Sequence, residues 1–377
     1  MEAWSVWIVL AVETVVAGGF TIIIPKITRR GLLFGVYVGE QHWASVQARA
    51  IAREWYAGMI LGVAASIVLG AGLALGYPTQ PLAVVSSLLM VLTFTVVCYL
   101  RAHFRARRLA VAGAPVSAAA LIVDAPAALT VPIVATSIGA LCGAAALGYA
   151  WMHYADMPAM VPTHFGISGR PDAWAPRSFG SVMMLPLMAA VLSPGMGLMA
   201  CLTARAKRAI RQADGGVSLA AQLRFRRAVT VFLSGTVILV SLLLTSMSIA
   251  ATRVALGLSE GLPGASMALT GVLLLYAIGG SLYLMLHFGQ GGARLEKAAG
   301  SAPLTNGLAD NAHWVLGVVY VNRDDPSFLV EKRFGVGYTV NLGNPRAALL
   351  VILFVLFMIG VVWFARSTPH TSLTPGS

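Results

Sequence analysis

Residues 229–250, VTVFLSGTVILVSLLLTSMSIA, run without a single charge and follow closely on Arg224, Arg226 and Arg227. A helix needs about 20 apolar residues to cross a hydrocarbon core about 30 Å thick. The stretch therefore reads as a membrane span with a basic anchor at one end. The same criterion, carried outward, predicts seven more spans at 3–24, 55–76, 82–100, 131–150, 179–202, 265–287 and 347–365. The Lys and Arg residues between them are unevenly shared, because one set of alternate segments holds 22 of the 26 and the other set holds 4. Basic segments remain cytoplasmic, which places both termini outside a bacterial cell (inner) membrane.

Composition excludes a soluble domain: 58% of the residues are hydrophobic and 11% charged, with a mean hydropathy of +0.80. The net charge of +12 is largely a topology signal. Its basic residues sit beside the spans, as in Arg105, Arg107 and Arg108 or Arg205, Lys207 and Arg208. Anionic lipid headgroups account for that placement, at about 1 kcal/mol per charge, so the expected partner is the lipid bilayer, with no direct nucleic acid. Cys98, Cys142 and Cys201 fall in or at the ends of spans with no CxxC pair, which indicates neither a disulfide framework nor a cysteine zinc site. Residues 3–24 lack a basic leader and a small-residue cleavage site, so they read as a retained first helix.

The expected fold is an all-α membrane protein, a bundle of about eight transmembrane helices with a small cytoplasmic β-element before the last helix. Its divisions are a three-helix membrane region (1–130), a two-helix region with an outer loop at 151–178 (131–202), helices six and seven (203–287), a cytoplasmic segment (288–346), and the last helix with an outer tail (347–377). Gly31, Gly35 and Gly39 suit either a close helix contact or a short extended stretch, and the spacing leaves both open. Glycine pairs at 58/62, 72/76 and 139/143 predict close helix approach. Pro186, Pro194 and Ser193-Pro-Gly-Met-Gly197 predict a kinked or unwound fifth span, and residues 76–81 a tight outer turn. Residues 289–292 and 298–307 are flexible by composition. Beyond them, runs rich in β-branched and aromatic residues flank Asn322-Arg-Asp-Asp-Pro326, a capped β-turn between strands. Trp314, Phe328 and Tyr338 are candidates for contact with a cytoplasmic protein partner.

Two places carry polar chemistry. The loop 151–178 contains His153, Asp156, His164 and Asp172 among fixed turns, with Trp151, Phe165 and Trp174 as interfacial rings. The His and Asp spacings match no zinc motif, so His164 and Asp172 read as braces of an ordered cap and no metal is expected. Glu13 is the one acidic residue deep within a span. It serves either as a hydrogen-bonding group, near Thr14 and Thr21, or as the proton-linked residue of a transporter. No phosphate loop, HExxH or GxSxG motif occurs, so the protein reads as non-enzymatic, without catalytic residues or cofactors.

Pro158, Pro162, His164, Phe165, Gly169, Pro171, Asp172 and Trp174, followed by Pro186, resemble the signature of the bacterial membrane domain of unknown function 1648. That domain occurs in SdpI-like proteins, whose namesake confers immunity to a secreted peptide toxin and relays its presence to a cytoplasmic repressor. Trp314, Gly317, Tyr320, Asn322, Asp324, Asp325, Pro326, Val330, Lys332, Gly337 and Asn341 similarly resemble the domain of unknown function 5808, which accompanies the first in longer proteins. The resemblance implies a receptor, immunity or resistance role toward a peptide or hydrophobic ligand on the outer face, with signalling to a cytoplasmic partner. The alternatives are a proton-coupled transporter using Glu13 and a structural or regulatory subunit of a membrane complex.

Overall fold

The computed structural model describes residues 3–77, 82–111, 127–166, 168–206, 217–298 and 311–367. The chain begins with α1 (Ala3–Glu13), a π-turn at Thr14–Gly18 and α2 (Gly19–Ile27). A small hairpin of β1 (Leu32–Leu33) and β2 (Val36–Tyr37) follows, then α3 (Gly39–Trp43), α4 (Val46–Gly76), α5 (Leu82–Arg107) and α6 (Ala127–Met152). Next come β3 (Met160–Phe165), β4 (Pro171–Pro176), α7 (Phe179–Ala204), α8 (Val217–Ala255), α9 (Gly264–Tyr283) and the short α10 (Ala293–Ala298). The chain continues through β5 (Trp314–Val315), β6 (Val319–Tyr320), β7 (Leu329–Glu331) and β8 (Tyr338–Val340) into α11 (Pro345–Ser367). All four strand pairs are antiparallel.

Among the described residues eight helical stretches are long and apolar enough to cross a membrane, and each overlaps a predicted span. Their outward side chains include Leu61, Val68, Leu75, Leu141 and Leu275, all left exposed by the protein itself. In water such rows would be a liability, whereas in lipid they are in their own solvent. This is a polytopic membrane protein. The turn at 76–81 and the segment 298–307 lie largely outside the described residues.

The chain forms two compact units. One is Met1–Ile122 with Ala206–Arg226 and Leu282–Ala348, and the other is Val123–Arg205 with Arg227–Ser281 and Leu349–Ser377. In the first unit the choice that sequence spacing left open is resolved as extended backbone. Gly31, Gly35 and Gly39 have φ of 85°, 78° and 69°, values closed to a helix, and Phe34 joins Gly35 at φ 45° in the two-residue turn between β1 and β2. That turn meets the loop after β5: a Cβ on Gly35 would lie 2.6 Å from the Gly317 carbonyl oxygen. The Tyr99 hydroxyl donates to Leu316 O at 2.8 Å, and His103 Nδ1 lies 2.9 Å from Phe34 O. Around them Phe34, Trp55, Tyr99 and Phe334 form one aromatic cluster.

The same unit contains an ionic clasp. Arg29, just past α2 and 3% exposed, donates through Nη1 to Glu296 at 2.7 Å, through Nε to Glu331 at 3.0 Å and through Nη2 to Gly291 O at 2.8 Å. Its own backbone N–H donates to Gln290 Oε1, so residues 289–292, flexible by composition, are instead buried and held by Arg29. Any side chain on Gly291 would collide with the Glu331 carboxylate. Burial works against the guanidinium charge, but the two carboxylates outweigh it. For Glu331 the balance is reversed, as burial pushes its carboxyl up despite Arg29, and Glu296 adds to the rise.

In the second unit α6 and α7 pack through small residues. A Cβ on Gly139 would meet Ser193 Cβ at 3.1 Å, and one on Gly143 would meet Ala190 Cα at 2.5 Å. Within the first unit Gly58 and Gly62 likewise admit Cys98 and Phe94 of α5, whereas Gly72 and Gly76 have open space beside them. Of the two outcomes expected for the fifth span, local unwinding does not occur: α7 is helical throughout, across both Pro186 and Pro194. Its buried row, Met183, Pro186, Ala189, Ser193, Gly197 and Ala200, keeps a helical period through both prolines. Packing on that face holds the helix together where each proline removes one backbone bond.

Arg29→Ala would leave two buried carboxylates without their cation, and a loss of about 3–5 kcal/mol is expected in an unfolding titration. A carboxyl raised in the folded state contributes most at low pH, and its contribution is lost as pH rises through the folded value. Glu331→Gln is therefore expected to flatten the fall in melting temperature on alkalinisation.

Candidate functional site

After α6 the chain turns at residues 153–159, and this turn is organised by Arg177. Its Nη1 donates to the carbonyls of Ala155 at 2.9 Å and Met157 at 2.5 Å, while its backbone N–H donates to Ala159 O at 2.7 Å. Next to it Ser178 caps α7 in a reciprocal box with Ser181. One short segment thus fixes both the entry to the hairpin and the start of α7.

Strands β3 and β4 pair Met160 with Pro176, Val161 with Ala175 and Pro162 with Trp174. Beyond Pro162 the register shifts, so that His164 lies opposite Ala173. The shift is a bulge at Thr163 that re-aims the end of β3. Prolines 162, 171 and 176 are tolerated because a two-stranded sheet consists only of edges. At the tip, Gly166 N donates to Arg170 O, and Gly169 adopts φ 77°. Leu262 N then donates to Gly169 O at 2.8 Å, tying the tip to the loop before α9.

His164 Nδ1 and Asp172 Oδ1 lie 2.5 Å apart across the hairpin. His153 and Asp156 make a separate, looser pair at 3.8 Å. The four residues split into two pairs, and among the described residues no three His, Cys, Asp or Glu side chains converge as a metal site would require. Pro158 is exposed at the turn, Pro162 is buried, and Phe165 and Trp174 are half-buried.

Beneath the hairpin lies a cavity of about 360 Å³. Val161, Pro162, Thr163, His164 and Phe165 of β3 form one wall. Gly180, Ser181, Val182, Met184, Leu185, Pro186 and Met188 of α7 form a second, and Met247, Ser248, Ala251, Thr252 and Ala255 of α8 a third, with Met157 at the turn. Four methionines give it an adaptable apolar surface. Its polar side chains are hydroxyls and one imidazole, and among the described residues no Lys, Arg, Asp or Glu lines it. The α8 wall could not be assigned from sequence, because its small and hydroxyl residues, Ser248, Ala251 and Thr252, resemble those along the rest of that span.

The motif before α11 proves to be a polar lock. Asn341, fully buried, accepts from the Asn322 and Gly343 N–H groups at 3.0 Å each and donates to the Asn322 and Asp325 carbonyls at 2.9 Å each. Asp325 accepts from Tyr320 Oη at 3.1 Å and Ser327 N at 3.0 Å, while Asn322 accepts from Asp324 N at 2.9 Å. Pro326 adds its carbonyl, which accepts from Asn344 Nδ2 at 2.8 Å. Gly317 and Gly337 sit at φ 69° and 105°. The capped turn is therefore as expected, but the aromatics are less exposed than their sequence suggests. Trp314 packs over the Arg333 guanidinium at 4.9 Å and against Tyr320, and Phe328 and Tyr338 are half-buried.

Residues 141–190 match the family model described as a domain of unknown function, DUF1648, and residues 323–347 match a family of unknown function, DUF5808. The chain carries both. The first match runs from α6 through the hairpin into α7, and the second from the Asn322 turn to the start of α11. No curated protein and no solved structure matches the chain.

The His164–Asp172 pair is exposed at 69% and 48% of its side chains, so a double-mutant cycle is expected to give a coupling of at most about 1 kcal/mol. Arg177→Ala deprives several carbonyls of their donor and should cost more, about 1–3 kcal/mol. Thermal unfolding of the variants in one detergent tests the order.

Proposed function

We propose that this protein is a non-enzymatic receptor or resistance-type protein of the SdpI-like group, set in a bacterial cell membrane, which takes an apolar ligand or the apolar side chains of a peptide into the cavity under the β3–β4 hairpin. The cavity carries this reading. Its volume lies within the roughly 300–1,000 Å³ typical of ligand sites, its methionine-rich lining accommodates varied apolar shapes, and it lies within the DUF1648 match. The bias of basic residues supports an outward-facing hairpin, which would meet ligands arriving from outside. The Asn341 lock and the Arg29 clasp supply a rigid cytoplasmic element through which occupancy would be relayed to a protein partner.

The test uses the full chain in lipid nanodiscs with an environment-sensitive aliphatic fluorophore and short hydrophobic peptides as competitors. Ala251→Trp and Met188→Trp, which fill the cavity, are expected to weaken saturable binding at least tenfold, whereas Leu75→Trp on the lipid-facing side of α4 leaves it unchanged. Equal binding by all variants would overturn the reading. Single cysteines at Ser168 and Ser259, in a chain lacking the native three, should react with an impermeant maleimide on intact cells, while one at Gln41 should not. The reverse pattern would place the hairpin on the wrong side for an external ligand.

A further inference from the structure

The helices α1, α4 and α5 of the first unit enclose a polar pair. Glu13 ends α1, and both of its carboxylate oxygens are buried without a hydrogen-bond partner among the described residues. The side chain facing it is Ser87 of α5, wholly buried, whose hydroxyl is likewise unbonded. Gly70 of α4 makes room for this approach, since a Cβ there would lie 2.9 Å from Leu10 Cδ2 and 3.2 Å from Ser87 Cβ. Thr21, one of the two hydroxyls that proximity in sequence offered to Glu13, instead donates to Ala17 O and Gly18 O. Directly after Glu13 the helix widens into the π-turn Thr14–Gly18, a distortion concentrated at functional sites. No other titratable side chain occurs in residues 3–25, 57–76 or 82–97, the stretches around it.

A carboxylate held in a hydrocarbon-embedded bundle without a donor is strongly disfavoured. Two carboxylate oxygens and one hydroxyl are too few to replace the hydration shell of an alkali ion. They are sufficient for a proton, because the neutral acid donates its O–H to Ser87 Oγ, and the ionised form accepts the Ser87 O–H in return. We propose that Glu13 and Ser87 form an intramembrane proton-binding site, with Glu13 taking up and releasing one proton and Ser87 bonding to each form. The proposal is independent of the reading given to the cavity.

Dicyclohexylcarbodiimide, an apolar reagent that adds to protonated carboxylic acids, tests it on the full chain in lipid vesicles, with the adduct located by peptide mass spectrometry. The expected result is an adduct on Glu13 that is missing in Glu13→Gln, falls with rising pH along a one-proton curve and is indifferent to NaCl. Ser87→Ala should move the midpoint of that curve, a readout that does not depend on how well Glu13→Gln folds. No adduct on Glu13 at any pH, suppression by NaCl at fixed pH, or an unmoved midpoint in Ser87→Ala would overturn the proposal.

Discussion

Hydrocarbon offers no hydrogen bond to an unpaired backbone amide or carbonyl, and the architecture of this protein follows from that constraint. Each apolar stretch becomes a helix because only a helix satisfies every backbone group from within the segment. All four strand pairs lie between the apolar helical stretches. Even α7, with two internal prolines, remains a helix, because a locally unwound turn would expose more unpaired groups than the two bonds that the prolines remove.

Within lipid the helices cannot be driven together by apolar burial, since the solvent is as apolar as their side chains. Close backbone approach takes over that task, as at Gly143 against Ala190 and Gly62 against Phe94. Beyond the spans the interactions change character. The short hairpins are too small to hold alone, and they are fixed by polar groups that each make several bonds: Arg29 between two carboxylates, Asn341 with four hydrogen bonds, Arg177 on a row of carbonyls. The cavity under β3 lies where these two kinds of packing meet, helices joined by small residues below and a polar-pinned hairpin above.

The spans were legible in sequence because about 20 uncharged apolar residues have only one reading in a chain of this composition. The capped turn at Asn322 was legible because Asn, Asp and Pro have strong local preferences. The β3–β4 hairpin was not, since Pro162, Pro171 and Pro176 hide the strand signal of Val161, Thr163 and Trp174, and only the edge position of both strands makes them acceptable. The Arg29 clasp joins residues 267 and 302 positions apart, and nothing local distinguishes Arg29 from the neighbouring Arg30. The glycine pair 72/76 shows the opposite error, as a packing motif in sequence that faces open space in the fold.

The central claim is that the lipid constraint keeps α7 an unbroken helix with one face packed on its neighbours and another in hydrocarbon, so that its first turns, Gly180 to Met188, are held in place to wall the cavity. Nitroxide labels placed singly along 179–204 in a bilayer, with collision rates measured for oxygen and for a water-soluble nickel chelate, test it most directly. The account predicts oxygen maxima at Leu187, Val191 and Leu198 and minima at Met183, Ala189, Ser193 and Ala200, with the helical period unbroken across Pro194. A run of consecutive nickel-accessible positions at 193–197, or a loss of periodicity beyond Pro186, would contradict it.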